Sequence, residues 1–199
     1  MATERADQST TDQLSETERA TLLGVARDAI AQAADGRRAA DPQPEAYPVA
    51  LAAVRACFVT LEIGGELRGC IGTLKARRPL VVEVAHMARA AAMEDPRFPP
   101  LARAELGAVQ ISISVLSVPA PLEFASEADL LAKLRPGVDG LILREGYRSG
   151  TFLPSVWDKL PAPADFLRQL KRKAGLAPDH WSDSLTIEGY TTESFGDAH

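Results

Sequence analysis

The residues of this chain best suited to chemistry are Arg68 and Cys70, within Leu67-Arg68-Gly69-Cys70-Ile71-Gly72-Thr73. A thiolate is the nucleophilic and metal-binding form of cysteine, and a nearby guanidinium favours it. Glycines on either side leave the sulfur and the backbone open to an approaching group, or they make room for a tightly packed element. The residues alone weigh these two readings evenly. Free cysteine is among the most buried residue types, so an inert Cys70 is as good a reading as a reactive one. No histidine lies nearby in the sequence to act as its base. Cys57, with apolar neighbours, reads as a core residue.

Other candidates lie further along. Glu94-Asp95-Pro96-Arg97-Phe98-Pro99-Pro100-Leu101 is a proline-stiffened loop that presents an acid, a guanidinium and a ring close together. His86, His180 and His199 are scattered, and the two cysteines lack zinc-ligand spacing, so no metal and no cofactor is expected. His86, at helical spacing from Glu83, reads as a solvated surface residue. Arg168, Lys171, Arg172 and Lys173 form a basic helical face pointing mostly outward, with solvation as its default role. Aromatic residues are not interleaved with these bases, which argues against single-stranded nucleic acid as a partner.

The elements that must position these groups are legible in outline. Ser15 and Glu18 have capping-box spacing, and Leu22, Leu23, Val25, Ala26, Ala29, Ile30 and Ala33 give a helix an apolar side until Gly36. The stretch from Arg37 to Pro48 reads as an extended surface connection. Gly64-Gly65 reads as a two-residue hairpin turn, which pairs Ile63 with Glu66, Leu61 with Arg68, Val59 with Cys70 and Cys57 with Gly72. In that register Cys57, Val59, Leu61, Ile63, Arg68 and Cys70 share one face, and a bulge would shift it. A helix follows from Pro79 to before Pro96, with Leu80, Val84, Met87, Ala88 and Ala91 as its buried stripe.

Val109, Ile111, Ile113 and Val115 alternate with Gln110, Ser112 and Ser114, the pattern of a strand with one core face and one polar face. Ser126 and Asp129 open a short helix that stops at Pro136-Gly137. Leu141 to Leu143 is a strand, Arg144 to Gly150 a polar turn, and a further strand ends at Leu153. Short and long helices start at Pro154 and Pro163, and a last strand spans about Ser184 to Tyr190 before an acidic, frayed end. Strands and helices without strict alternation favour an α+β arrangement.

Composition narrows the function classes. In 199 residues, 46% hydrophobic content supports a sizeable core, and 27 acidic against 22 basic residues give a formal charge of −5. That balance argues against sequence-independent attraction to nucleic acid or anionic membrane. Met1 to Gln13 is polar, unlike a signal peptide, and no apolar run approaches the roughly 18 residues of a membrane span. A cytoplasmic protein with free thiols is the expectation.

Six blocks then occur in order: Leu-Arg-Gly-Cys-Ile-Gly at 67–72, Asp95-Pro96-Arg97-Phe98, Ser112-Ile113-Ser114-Val115-Leu116, Pro136-Gly137-Val138-Asp139-Gly140, Thr151-Phe152-Leu153-Pro154-Ser155-Val156-Trp157 and Phe166 through Leu176. Together they closely resemble the AMMECR-type domain, called AmmeMemoRadiSam system protein A in its prokaryotic form. The resemblance implies an α+β fold with a main antiparallel sheet flanked by helices, a smaller subdomain, and a cleft between them. It implies a single such domain over 13–195; the residues before it, 1–12, are polar and small and read as a disordered tail, and 196–199 as a frayed end.

The same resemblance implies an accessory or partner role beside a Memo-like protein and a radical S-adenosylmethionine enzyme, with Arg68, Gly69, Cys70, Ile71 and Gly72 as the functional centre. It carries no reaction and places no catalytic histidine on His86 or His180. Two classes of function remain. One is a binding module that receives an unknown ligand or partner peptide along the Leu67–Thr73 strand. The other is an enzyme with Cys70 as nucleophile or modification acceptor, Arg68 on an anionic group, and Asp95, Arg97 or Asp139 completing the cleft.

Overall fold

Helix α1, Glu16–Ala34, starts where the capping box requires: Glu18 N donates to Ser15 Oγ at 3.3 Å, and Ser15 N donates to Glu18 Oε2 at 2.8 Å. It ends at Gly36, whose φ of +70° suits glycine, while Arg37 N reaches back to Gln32 O. Leu22, Ala26, Ala29 and Ile30 are its buried residues. The computed structural model describes residues 13–37 and 40–197, so the disordered tail expected at 1–12 and the last two residues of the frayed end lie outside the described residues.

The described chain forms two units, one of the chain through Leu116 together with the segment from Glu193, the other of Ser117–Thr192. In the first unit, the connection from Arg37 to Pro48, expected to be extended, holds a 3-10 turn at Pro44–Ala46, and a short helix α2, Val49–Ala52, that buries Leu51 follows it. Four helical residues are too few to show a period, which is why the pattern was silent. Strands β1, Cys57–Ile63, and β2, Glu66–Gly72, form the hairpin, with Gly64 and Gly65 at φ +61° and +80° as its turn. Helix α3, Leu80–Met93, follows, and then β3, Val109–Leu116. The buried set of α3 is wider than one stripe, with Val81, Val82, Glu83 and Ala85 covered as well, because it belongs to a core shared with α1, α2 and the strands.

The hairpin register departs from the expected one. Ile63 pairs with Glu66 and Glu62 with Leu67, but Leu61 then pairs with Gly69, Thr60 with Cys70, Val59 with Ile71 and Phe58 with Gly72. Arg68 is the extra residue of a bulge. Because side chains alternate with a period of two, one inserted residue turns everything beyond it to the opposite face. Cys57, Val59 and Leu61 are fully buried in the first core, whereas Cys70 shares the other face with Phe58 and Thr60 and is half-buried.

The second unit holds β4, Ala120–Pro121, α4, Glu127–Lys133, β5, Gly140–Glu145, β6, Arg148–Phe152, α5, Pro163–Lys173, and β7, Thr186–Tyr190. The expected Arg144–Gly150 turn is shorter: β5 and β6 pair out to Glu145 and Arg148, leaving Gly146 and Tyr147, with Gly146 at φ +56°. The sheet order is β4-β7-β5-β6, with antiparallel pairs throughout. Its core contains Leu130, Leu141, Leu143, Leu167 and Leu170, with the Trp157 and Phe166 rings stacked at 3.8 Å. After the strand expected at about Ser184 to Tyr190 the chain adds one more, β8, Thr192–Gly196, which lies beside β3 in a first sheet of order β2-β1-β3-β8 and takes in Gly196 of the end expected to fray at 196–199. The fold is α+β, two antiparallel sheets each accompanied by helices. Among the described residues no helix is long and apolar enough to cross a membrane.

Candidate functional site

Strand β2 lies at the edge of its sheet, so the outward N–H and C=O of Cys70 need partners from elsewhere. Both come from the Asp95–Phe98 loop. Cys70 N donates to Asp95 Oδ2 at 2.8 Å, and Arg97 Nη2 approaches Cys70 O at 3.4 Å. Arg97 also grips Asp95, through Nε at 2.9 Å and Nη2 at 2.6 Å, and its backbone N–H adds a further bond at 3.1 Å. Asp95 is only 4% exposed. The Arg97 guanidinium first, and the Cys70 N–H next, hold its carboxyl well below the usual carboxylate range. Arg97 in turn is raised above its ordinary value, chiefly by Asp95, with Cys70 a lesser cause.

The thiol takes a hydrogen bond from Thr60 Oγ1 at 3.3 Å. Thr60, Asp95 and Arg97 are thus the side chains bonded to Cys70 among the described residues, and no histidine is one of them. Thr60 escaped the sequence reading because the bulge decides which residue of β1 faces Cys70. The guanidinium at Cys70 belongs to Arg97, whereas Arg68 turns elsewhere. Leaving the ladder at the bulge, Arg68 binds Glu105 through Nε at 2.8 Å and Nη2 at 3.1 Å. Arg68, with the N–H of Ala102 second, lowers the pKa of Glu105. No local signal in the sequence ties Glu105 to Arg68. Both guanidiniums lie over the Phe98 ring, Arg68 at 5.9 Å and Arg97 at 5.5 Å from its centroid.

The two glycines beside the thiol are filled by the protein itself. A Cβ on Gly69 would sit 2.1 Å from Ala91 O, so its lack of a side chain admits the backbone of α3 against β2. A Cβ on Gly72 would sit 2.3 Å from the Phe58 ring, which lies across it from the neighbouring strand. Ile71 is half-buried and packs on the first core. Of the strand's residues, the exposed Leu67 and the half-buried Cys70 side chain are what an incoming group meets, since the outward backbone groups of Cys70 are already bonded to the Asp95–Phe98 loop.

The remaining candidates divide by place. Asp139 lies in the second unit, where it accepts Arg135 N at 2.8 Å and Arg135 Nη2 at 2.6 Å. His86, expected in solvent, is half-buried with Nε2 3.0 Å from Asp41. Lys171, expected to point outward with the basic face, is fully buried; its Nζ bonds Glu127 at 3.1 Å and lies 5.5 Å from the centre of the Trp181 ring. One turn after the buried Leu167, Lys171 shares its face, and the aliphatic stem accounts for the covering. Among the described residues no cluster of three His, Cys, Asp or Glu side chains could hold a metal ion.

Comparisons with other proteins agree with this architecture. The family model described as AMMECR1 matches residues 23–195. A protein from Methanothermobacter thermautotrophicus is 40% identical over 178 residues, which cover 87% of this chain and 90% of that one. One from Thermofilum pendens is 38% identical, with 84% of each chain covered. The crystal structure of an uncharacterised protein from Pyrococcus horikoshii superposes with a TM-score of 0.75 at 33% identity, covering 89% of this chain and 90% of that one.

Proposed function

The chain belongs to the AMMECR1 family, and from that premise we propose that it is a cytoplasmic accessory protein that docks beside a Memo-like protein and a radical S-adenosylmethionine enzyme. The docking surface is the outer edge of β2 with the Asp95–Phe98 loop. The observation that carries this reading is the saturation of Asp95. An ionised carboxylate offers about four acceptor sites, and Asp95 takes bonds from Cys70 N, Arg97 N, Arg97 Nε and Arg97 Nη2. It is a rigid brace, with no acceptor site left for a substrate proton. Around the brace stand the half-exposed Arg97 side chain and the Phe98 ring, residue types enriched at protein interfaces, beside Leu67, an apolar side chain 41% exposed.

The test is affinity capture of the tagged full chain from its native cell, with both partner classes identified by mass spectrometry. Leu67→Asp and Arg97→Glu should each lower their recovery at least tenfold. Leu67 is exposed, so Leu67→Asp should keep the wild-type melting temperature. Equal recovery with both variants, or absence of both partners from the wild-type capture, would refute the proposal.

The second reading, an enzyme with Cys70 as nucleophile or modification acceptor, is favoured by one observation. Thr60 Oγ1 donates to a half-buried thiol, and the Arg97 guanidinium sits at the same residue, 3.4 Å from Cys70 O. Alkylation with iodoacetamide across a pH series, with Cys70→Ser as control, decides it: a Cys70 that stays unmodified in the folded protein ends the nucleophile reading.

A further inference from the structure

The polar face of the first sheet holds features that the β2 edge does not use. Along β3, Gln110, Ser112 and Ser114 point to the face that carries Thr60 and Cys70, since Thr60 pairs with both Ser112 and Cys70. Glu62 stands opposite Gln110 on the same face. These side chains border a depression of about 380 Å³, whose wall includes Glu62, Gln110, Ser112, Ser194, Gly196 and Asp197, all in the first unit. The volume is within the range of small-ligand pockets. Gly196 keeps its floor low beside Ser112, where an added Cβ would come within 3.1 Å of the serine's own Cβ.

The charges in this depression do not balance. Asp197 is neutralised by Arg27 at 2.6 Å and accepts Ile111 N at 2.8 Å. Glu62 has neither a salt bridge nor a hydrogen bond among the described residues, although it is half-buried. The side chains of Gln110 and Ser112 are likewise without protein hydrogen bonds among the described residues, while Ser194 shares one with Ser114 at 2.8 Å. A free carboxylate, a free amide and a free hydroxyl therefore line one concavity with a net charge of minus one.

We infer that this depression binds a small hydroxylated primary amine, its ammonium on Glu62 and its hydroxyl groups on Gln110, Ser112 and Ser194. A positive charge would pair with the unpartnered Glu62, and the neighbouring amide and hydroxyls reward a ligand with several polar groups over a simple cation. Cys70 sits two strand spacings from Ser112, about 10 Å away along the same cross-strand row. The ligand thus lies on the thiol-bearing face without occupying the docking edge, and the inference stands independently of the partner reading.

Glucosamine is a suitable probe, with glucose and glucuronate as the neutral and anionic counterparts, titrated into the isotope-labelled full chain and followed by backbone amide NMR. Saturable shifts are expected at Glu62, Gln110, Ser112 and Gly196 with glucosamine, weaker ones with glucose and none with glucuronate. Glu62→Gln should weaken glucosamine about tenfold, equivalent to ~1.4 kcal/mol. Leu67→Asp should leave it unchanged, which separates this site from the docking edge. Absence of saturable shifts at these amides, glucuronate binding as well as glucosamine, or a folded Glu62→Gln variant with unaltered affinity would each overturn the inference.

Discussion

Asp95 and Asp139 are each 4% exposed, each lies in a proline-containing loop, and each is held by two nitrogens of a guanidinium. Their remaining bonds differ. Asp139 accepts Arg135 N, four residues back, and its carbonyl receives Trp157 Nε1 at 2.7 Å, so the pair closes a loop and seats it on a core ring. Asp95 accepts Cys70 N, 25 residues back, so the same pair ties a loop to the edge of a sheet. An aspartate–arginine pair in a rigid loop therefore does not mark a site by itself. The reach of the third hydrogen bond separates a local staple from a brace that organises a surface.

The comparison breaks most severely through the glycines on which the two arrangements depend. Gly69 is where α3 presses on β2, and Gly69→Ala places a methyl 2.1 Å from a backbone oxygen that cannot rotate away. Overpacking of that kind costs about 3 kcal/mol, or a melting temperature lower by roughly 6–12 °C for a chain of this length. Gly137, in the loop of Asp139, has φ +78° and open space around it. Gly137→Ala meets only the left-handed backbone penalty, about 1–2 kcal/mol. Thermal unfolding of the two variants should rank them in that order, and the reverse order would show that the β2–α3 approach is softer than its geometry.

What could be read from the residues alone follows the same division between local and distant. The capping box at Ser15 and Glu18, the Gly64-Gly65 turn and the two-residue alternation of β3 are local rules, and each appears where the spacing puts it. The loop of Asp95, Arg97 and Phe98 was visible as a candidate because its three groups are adjacent in sequence. Its attachment to Cys70 was not, since nothing local determines which edge a carboxylate reaches. The bulge at Arg68 lies in the same class: a two-residue turn predicts an unbroken ladder, and a single unpaired residue moves Cys70 from Val59 to Thr60. The final strand β8 escaped because Thr192-Glu193-Ser194-Phe195-Gly196 takes its order from partners distant in sequence: β3 beside it, Leu14 N and Arg19 on Glu193, and the first core against Phe195. Lys171 was misplaced outward because charge was weighed before position on the helix.

A smaller and more selective effect comes from neutralising the two carboxylates. In Asp95→Asn the amide keeps the shape but loses the charge that Arg97 and the Cys70 N–H share, so hydrogen exchange at the Cys70 amide should accelerate at least tenfold. Asp139→Asn should leave that amide unaltered and instead expose the amide of Arg135. Acid sharpens the contrast. Because the folded protein holds Asp95 well below its ordinary value of 3.8, the stability it contributes is fully present above that value and is lost as pH falls toward the folded one. Wild type and Asp95→Asn should therefore differ in stability at neutral pH and converge as the solution is acidified below pH 3.8, because protonation does to the wild type what the substitution has already done. A difference that persists unchanged into strong acid would mean that the carboxylate acts through its shape and not its charge, and the brace at Cys70 would then be no more than a second loop staple.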